Sequence, residues 1–106
     1  MTVIDNFNAI LNNKRQALED LEKATEEAIH ISKNYHEKKN RAWLQTDFKK
    51  LGLTNDKQRT AYVEENCKNL KVNMEKANAR VDAIKRDLHY FDQVLEVQKA
   101  IFEKEI

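Results

Sequence analysis

The chain has 106 residues, of which 35% are charged and 41% are hydrophobic, with one glycine, no proline and a net charge of +1. This length predicts a single domain, residues 1–106, and this composition predicts a chain built almost wholly of helix. A net charge near zero gives no general attraction to nucleic acid or to a membrane surface.

No segment of the sequence approaches the ~18–20 apolar residues of a membrane span. The first ten residues carry neither the basic region nor the apolar run of a signal peptide. The single cysteine, Cys67, is expected to be a small buried hydrophobe, and it fits a reducing compartment. We therefore expect a cytoplasmic protein with no membrane contact.

The first predicted helix covers residues 3–51. Thr2 and Asp5 form a plausible capping pair at its start. Its apolar stripe is interrupted at Lys14 and consists of Ile4, Phe7, Leu11, Leu18, Leu21, Ala24 or Thr25, Ala28, Ile31 and Tyr35. The chain is polar from Ser32 to Arg41 apart from Tyr35, and residues 36–42 allow either a continuous helix or a break.

Gly52 predicts the turn of the chain at residues 52–54. Lysines precede it and Leu53 follows it, as in a Schellman-type helix stop. Asn55 and Gln58 then have the spacing of a capping box, so the second predicted helix covers residues 55–105. A stop, a short link and a new start are typical of an αα-hairpin.

The second helix carries the stronger pattern, since its apolar residues alternate between spacings of three and four. They are Val63, Cys67, Leu70, Met74, Ala77, Val81, Ile84, Leu88, Phe91 and Leu95. The series misses at Gln98 and resumes at Phe102. Such a heptad stripe needs another helix to cover it. We therefore predict an all-α fold, a long antiparallel coiled-coil-like hairpin whose paired positions add up to about 106.

A second apolar line near the C-terminus lies on another face of the same helix. Its members are Ala83, Tyr90, Val94, Val97 and Ile101. A helix that is apolar on two faces should be contacted from two sides. Tyr90, Val94, Val97 and Ile101 are thus candidates for self-association, with two hairpins forming a four-helix bundle dimer. Alternatively, Phe7 and Ile10 cover both lines within one chain.

The sequence contains no catalytic signature. The three histidines have no partners at metal-ligand spacing, and one glycine cannot build a phosphate-binding loop. We expect no enzyme activity, no metal and no cofactor.

The turn end of the hairpin, which we call the tip, concentrates basic and aromatic residues. Residues 33–59 include eight basic and three acidic side chains, a net charge of +5. The candidate binding residues are Lys38, Lys39, Arg41, Trp43, Phe48, Lys49, Lys50, Lys57, Arg59 and Tyr62. Three interpretations stay open: a structural plug at the bundle end, a protein-binding tip anchored by Trp43, or a surface for phosphates and exposed bases.

Two families have comparable hairpins. The tryptophan near the turn is similar to that of WXG100-type proteins, but Trp43 is followed by Leu44 and Gln45, so the W-x-G turn is missing. The run from Leu51 to Val63, preceded by Trp43 and by Asp47-Phe48, resembles small helical early-region proteins of phages of Gram-positive bacteria. That resemblance implies a role in phage DNA metabolism, or binding and blocking of a host factor in the host cytoplasm.

Two functions therefore follow as expectations. The first is a non-enzymatic protein-binding module, such as a phage-encoded accessory or inhibitor, in which replacing Trp43 by alanine abolishes partner binding and spares stability. The second is a nucleic-acid-binding accessory protein that uses the basic, aromatic tip. Only the second should weaken steeply with salt.

Overall fold

The computed structural model describes residues 2–105. It contains three helices, α1 (Val3–Gln45), α2 (Asp56–Asn66) and α3 (Lys68–Glu105), and no strand occurs among the described residues. The predicted all-α helical hairpin is confirmed. Assembly of two hairpins into a four-helix bundle stays a prediction.

The start of α1 is capped as its sequence indicates. The backbone N–H of Asp5 donates to Oγ1 of Thr2 at 3.1 Å, and the N–H of Thr2 donates to the Asp5 carboxylate at 3.2 Å. Two N–H groups that would lack a partner in the first turn are thereby satisfied.

Helix α1 is continuous through residues 36–42, so the alternative of a break there was wrong. Five of these seven residues are Glu, Lys, Lys, Arg and Ala, which are strong helix formers. The segment is also anchored at Tyr35, which is buried and carries the Lys39 ammonium 5.7 Å from its ring centroid. A polar stretch without glycine or proline thus keeps its helix.

The end of α1 lies at Gln45, and the prediction that the helix reaches residue 51 was wrong. The Asp47 carboxylate accepts a hydrogen bond from the backbone N–H of Lys50 at 3.2 Å. Such a local side-chain bond stabilises a turn in competition with the helix. Residues 48–52 accordingly form a separate turn, and the link between α1 and α2 is residues 46–55 rather than 52–54.

Gly52 ends that turn in the predicted Schellman arrangement. Its φ is +73°, in the left-handed region that glycine adopts most readily. The N–H of Leu53 donates to the Phe48 carbonyl at 2.9 Å, and the N–H of Gly52 donates to the Lys49 carbonyl at 3.1 Å.

The start of α2 confirms Asn55 as the N-cap, since its side chain accepts from the N–H of Gln58 at 2.8 Å. The return bond differs from a standard capping box. The Gln58 side-chain oxygen accepts from the N–H of Thr54 at 3.0 Å, one residue earlier than the cap.

Cys67 separates α2 from α3, a division that the prediction of one helix over 55–105 missed. Its N–H is shared between the carbonyls of Val63 and Glu64, at 3.1 and 3.2 Å, and its φ and ψ are −103° and 5°. The bond to Glu64 spans three residues instead of four, so the helix is locally tighter at this buried cysteine. Regular α-helical bonding resumes after it, since the N–H of Lys71 donates to the Cys67 carbonyl at 3.0 Å.

The chain divides into two compact units. The terminal unit comprises Met1–Thr25 and Ala79–Ile106, and the turn unit comprises Glu26–Asn78.

In the terminal unit, a series of buried and half-buried residues of α1 alternates at spacings of three and four: Val3, Phe7, Ile10, Lys14, Ala17, Leu21 and Ala24. Leu11, Asp20 and Thr25, each adjacent to a member of this series, are also half-buried. The predicted stripe was wrong for Ile4 and Leu18, which are exposed, and it missed Val3, Ile10 and Ala17. Ile4 and Leu18 were assigned to the seam because their side chains are large. The helical period instead places Val3 and Ala17, the residues just before them, on the buried side.

Opposite α1 in this unit, α3 presents the predicted seam. Its half-buried members are Val81, Ile84, Leu88, Phe91, Leu95 and Gln98. The Lys14 ammonium lies 2.6 Å from a carboxylate oxygen of Asp92, and these two positions add up to 106, the predicted antiparallel register.

The core of the turn unit consists of Tyr35, Val63 and Cys67. Partly buried apolar residues from α1, the link, α2 and α3 pack against it: Ala42, Trp43, Phe48, Tyr62, Leu70 and Met74.

Candidate partner-binding surfaces

The predicted aromatic residues of the tip form one layer over the core of the turn unit. The ring centroids of Trp43 and Phe48 are 5.5 Å apart, and Tyr62 approaches Phe48 edge-on at 6.4 Å. All three rings are half-buried. The layer thus covers the core with one face, as the plug interpretation expects.

Arg59 is fixed in this layer. Its guanidinium carbon lies 5.3 Å from the Phe48 ring centroid, and its Nε donates to the Leu53 carbonyl at 3.1 Å. The predicted binding residues Arg59 and Tyr62 therefore both contribute to local structure, because each contacts Phe48.

Five predicted basic residues remain exposed in the turn unit: Lys38, Arg41, Lys49, Lys50 and Lys57. Lys38 and Arg41 line an open groove of about 480 Å³ together with Glu37 and Leu70. Lys39 differs from them, since it is half-buried and lies over Tyr35. The basic residues thus divide into a groove pair, a link pair and one residue in the first turn of α2.

Two exposed leucines at the tip were absent from the predicted site. Leu44, in the last turn of α1, is 86% exposed, and Leu51, in the link, is 50% exposed. The helical period offered a signal for Leu44, because it lies two residues after the half-buried Ala42 and so points away from that side. These leucines are exposed apolar groups in the same unit as the packed aromatic layer.

The predicted self-association residues lie together on the outer side of α3 in the terminal unit. Tyr90 and Val97 are each 60% exposed, Ile101 is 45% exposed and Val94 is half-buried. The alternative in which Phe7 and Ile10 cover both lines does not occur, because this line stays accessible.

The helix ends of the terminal unit enclose an apolar pocket of about 200 Å³. It is lined by Val3, Ile4, Phe7, Gln98, Lys99 and Phe102. The side-chain oxygen of Gln98 is buried there without a hydrogen-bond partner. The residue that interrupts the heptad pattern thus leaves an unsatisfied polar atom in the seam.

Within residues 2–105, no group of three or more His, Cys, Asp or Glu side chains is arranged to hold a metal ion. No helix in the described part of the chain combines the length and apolar content that a membrane crossing requires. Comparisons with protein families, with curated proteins and with solved structures find no match.

Proposed function

We propose that the chain is a non-enzymatic protein-binding module whose contact surface is the tip. The observation that carries this proposal is the exposure of Leu44, 86% of which is open to solvent directly beside the packed Trp43. In line with the resemblance noted above, the module acts in the host cytoplasm as a phage-encoded accessory or inhibitor protein that binds a host or phage protein.

The composition of the tip supports a protein partner. Binding energy at interfaces concentrates in a few apolar or aromatic anchors that a rigid neighbourhood holds in place. Leu44 and Leu51 are exposed apolar side chains of this kind, and Leu44 directly follows Trp43, whose ring packs on Phe48. The lysines around them favour a partner with an apolar pocket and an acidic rim.

A matched pair of substitutions tests this function. Leu44→Asp should remove binding, because it places a charge at the anchor, whereas Ile29→Asp should preserve it. Ile29 is a suitable control because it is 64% exposed on the same helix and in the same unit, away from the tip. Affinity capture from host extract with the wild type and both variants, followed by binding measurements on the purified partner, gives the comparison. Equal binding by all three would contradict a site at Leu44.

A nucleic-acid-binding accessory function is the second candidate, and the groove that contains Lys38 and Arg41 supports it. The aromatic rings favour it less, because Trp43, Phe48 and Tyr62 pack on one another and offer little free surface for base stacking. Fluorescence anisotropy with single-stranded and duplex DNA is the test. Phosphate binding should weaken steeply between roughly 50 and 200 mM salt, and Lys38→Gln with Arg41→Gln should abolish it.

Self-association is the third part of the proposal. The accessible line of Tyr90, Val94, Val97 and Ile101 supports a homodimer, since exposed apolar patches of this kind mark contact sites.

A further inference from the structure

The four apolar residues on the outer side of α3, which we call the α3 stripe, have a spacing that reads the same in both directions. Tyr90, Val94, Val97 and Ile101 are separated by four, three and four residues. A second α3 stripe laid antiparallel against the first therefore places Tyr90 opposite Ile101 and Val94 opposite Val97, twice by symmetry. Every apolar member has an apolar partner in this register.

Charges extend the same pairing. Three residues before the stripe lies Asp87, and three residues after it lies Lys104; both are exposed. In the antiparallel register each Asp87 faces Lys104 of the second copy, so the contact is flanked at both ends by opposite charges. Neither side chain forms an ion pair within the described residues. The stripe thus shows apolar and charge complementarity to itself.

The neighbouring surface of α1 restricts the contact to α3. Each member of the α3 stripe directly precedes a seam residue, whereas Asp92 and Lys99 directly follow one. Asp92 bonds to Lys14, and Lys99 lines the pocket with Ile4, which follows the seam residue Val3.

On both helices, the residues directly after a seam residue therefore lie on one side of the helix pair. The residues directly before a seam residue lie on the other side. On α1 the residues that precede the seam are polar or charged except for the small Ala9. The large apolar residues on this side of the helix pair therefore belong to α3.

We infer that a second copy of this chain covers the α3 stripe, with the two α3 helices antiparallel about a twofold axis between residues 95 and 96 and with α1 outside the contact. This inference rests on the proposed self-association and specifies its arrangement. It differs from a four-helix bundle, in which both helices of each hairpin would meet the other copy. The apolar part of the stripe is about 17 Å long, at 1.5 Å per residue, so the dimer should be a modest, concentration-dependent one.

The first experiment is sedimentation equilibrium of the wild type, Val97→Glu and Leu18→Glu across a wide concentration range. Val97→Glu should leave a helical monomer, because two glutamates then enter the centre of the contact. Leu18→Glu is the matched control, since Leu18 is 50% exposed on α1 in the same unit. It should dimerise like the wild type. Loss of the dimer in Leu18→Glu with retention in Val97→Glu would overturn the inference.

The second experiment tests the register with charge reversals. Asp87→Lys and Lys104→Asp should each weaken dimerisation roughly tenfold, because each creates two like-charge contacts, and the double variant should return to within about twofold of the wild type. Circular dichroism of each variant checks that helicity is retained. The register would be wrong, although self-association stands, if neither single change alters the dimer affinity. The same conclusion would follow if the double variant dimerises more weakly than either single variant.

A wild-type chain that stays monomeric throughout would remove both the self-association and this arrangement. Protein binding at the tip, tested separately through Leu44→Asp, would be unaffected by that result.

Discussion

Lys14 of α1 and Asp92 of α3 form a 2.6 Å ion pair across the terminal unit. Lys14 occupies a seam position, where an apolar residue is expected, and its side chain is 34% exposed. Its aliphatic stem can cover apolar neighbours while the ammonium reaches the carboxylate at the edge. A residue that interrupts the apolar pattern thus marks which positions of the two helices face each other.

This pair predicts a small, salt-sensitive contribution to stability. Asp92→Ala should lower the free energy of unfolding by about 0.5–1 kcal/mol, because the pair is partly shielded from water but still screened. Urea denaturation at low and high salt measures it. Glu96→Ala, at an exposed carboxylate on the same helix, should change stability much less. Equal effects of the two changes would indicate that net charge, rather than the pair, is responsible.

Gln98 should be a site at which an apolar substitution stabilises the protein. Its buried side-chain oxygen has no hydrogen-bond partner, so Gln98→Leu should raise the free energy of unfolding by about 1 kcal/mol. Gln98→Glu should lower it, because a charge replaces the amide in the same place. Thermal and urea unfolding compare the three proteins. A destabilised leucine variant would mean that the pocket requires a polar group at this position.

Gly52 should tolerate side chains poorly for reasons of backbone geometry alone. A Cβ at this position meets no atom within 4 Å, so crowding does not oppose it, but φ is +73°. Gly52→Ala should therefore cost about 1–2 kcal/mol, and Gly52→Asn should cost less, since asparagine enters the left-handed region more easily. Chemical denaturation gives both values. An alanine variant as stable as the wild type would contradict a strained position here.

Trp43→Ala should destabilise the turn unit, in contrast to the expectation from sequence that it affects binding alone. The ring packs on Phe48 and against the core of Tyr35, Val63 and Cys67. Because the ring is only half-buried, its removal should cost about 2 kcal/mol, less than the roughly 3–5 kcal/mol of a core aromatic residue. Thermal unfolding by circular dichroism measures the change. Leu44→Ala, at the neighbouring exposed residue, should leave the midpoint nearly unchanged. An unaltered midpoint in Trp43→Ala would restore the sequence-based interpretation of this residue as a free anchor.

The sequence by itself determined the helical class, the caps and the pairing register. Gly52, Asn55 and the Thr2–Asp5 pair act through bonds within a few residues, so their types and spacing suffice to place them. The register followed from where that turn lies, and the Lys14–Asp92 pair agrees with it.

Only the tertiary structure decided how competing local and long-range preferences were resolved. The end of α1 at Gln45 depends on the Asp47 turn and on the packing of Phe48 against a core that residues distant in sequence build. Similarly, the assignment of Trp43 to the packed layer and of Leu44 to solvent depends on which side of the last turn meets α2 and α3. Trp43 and Leu44 are both hydrophobic and adjacent in sequence, and the position of the neighbouring helices determines that Trp43 is packed and Leu44 is exposed.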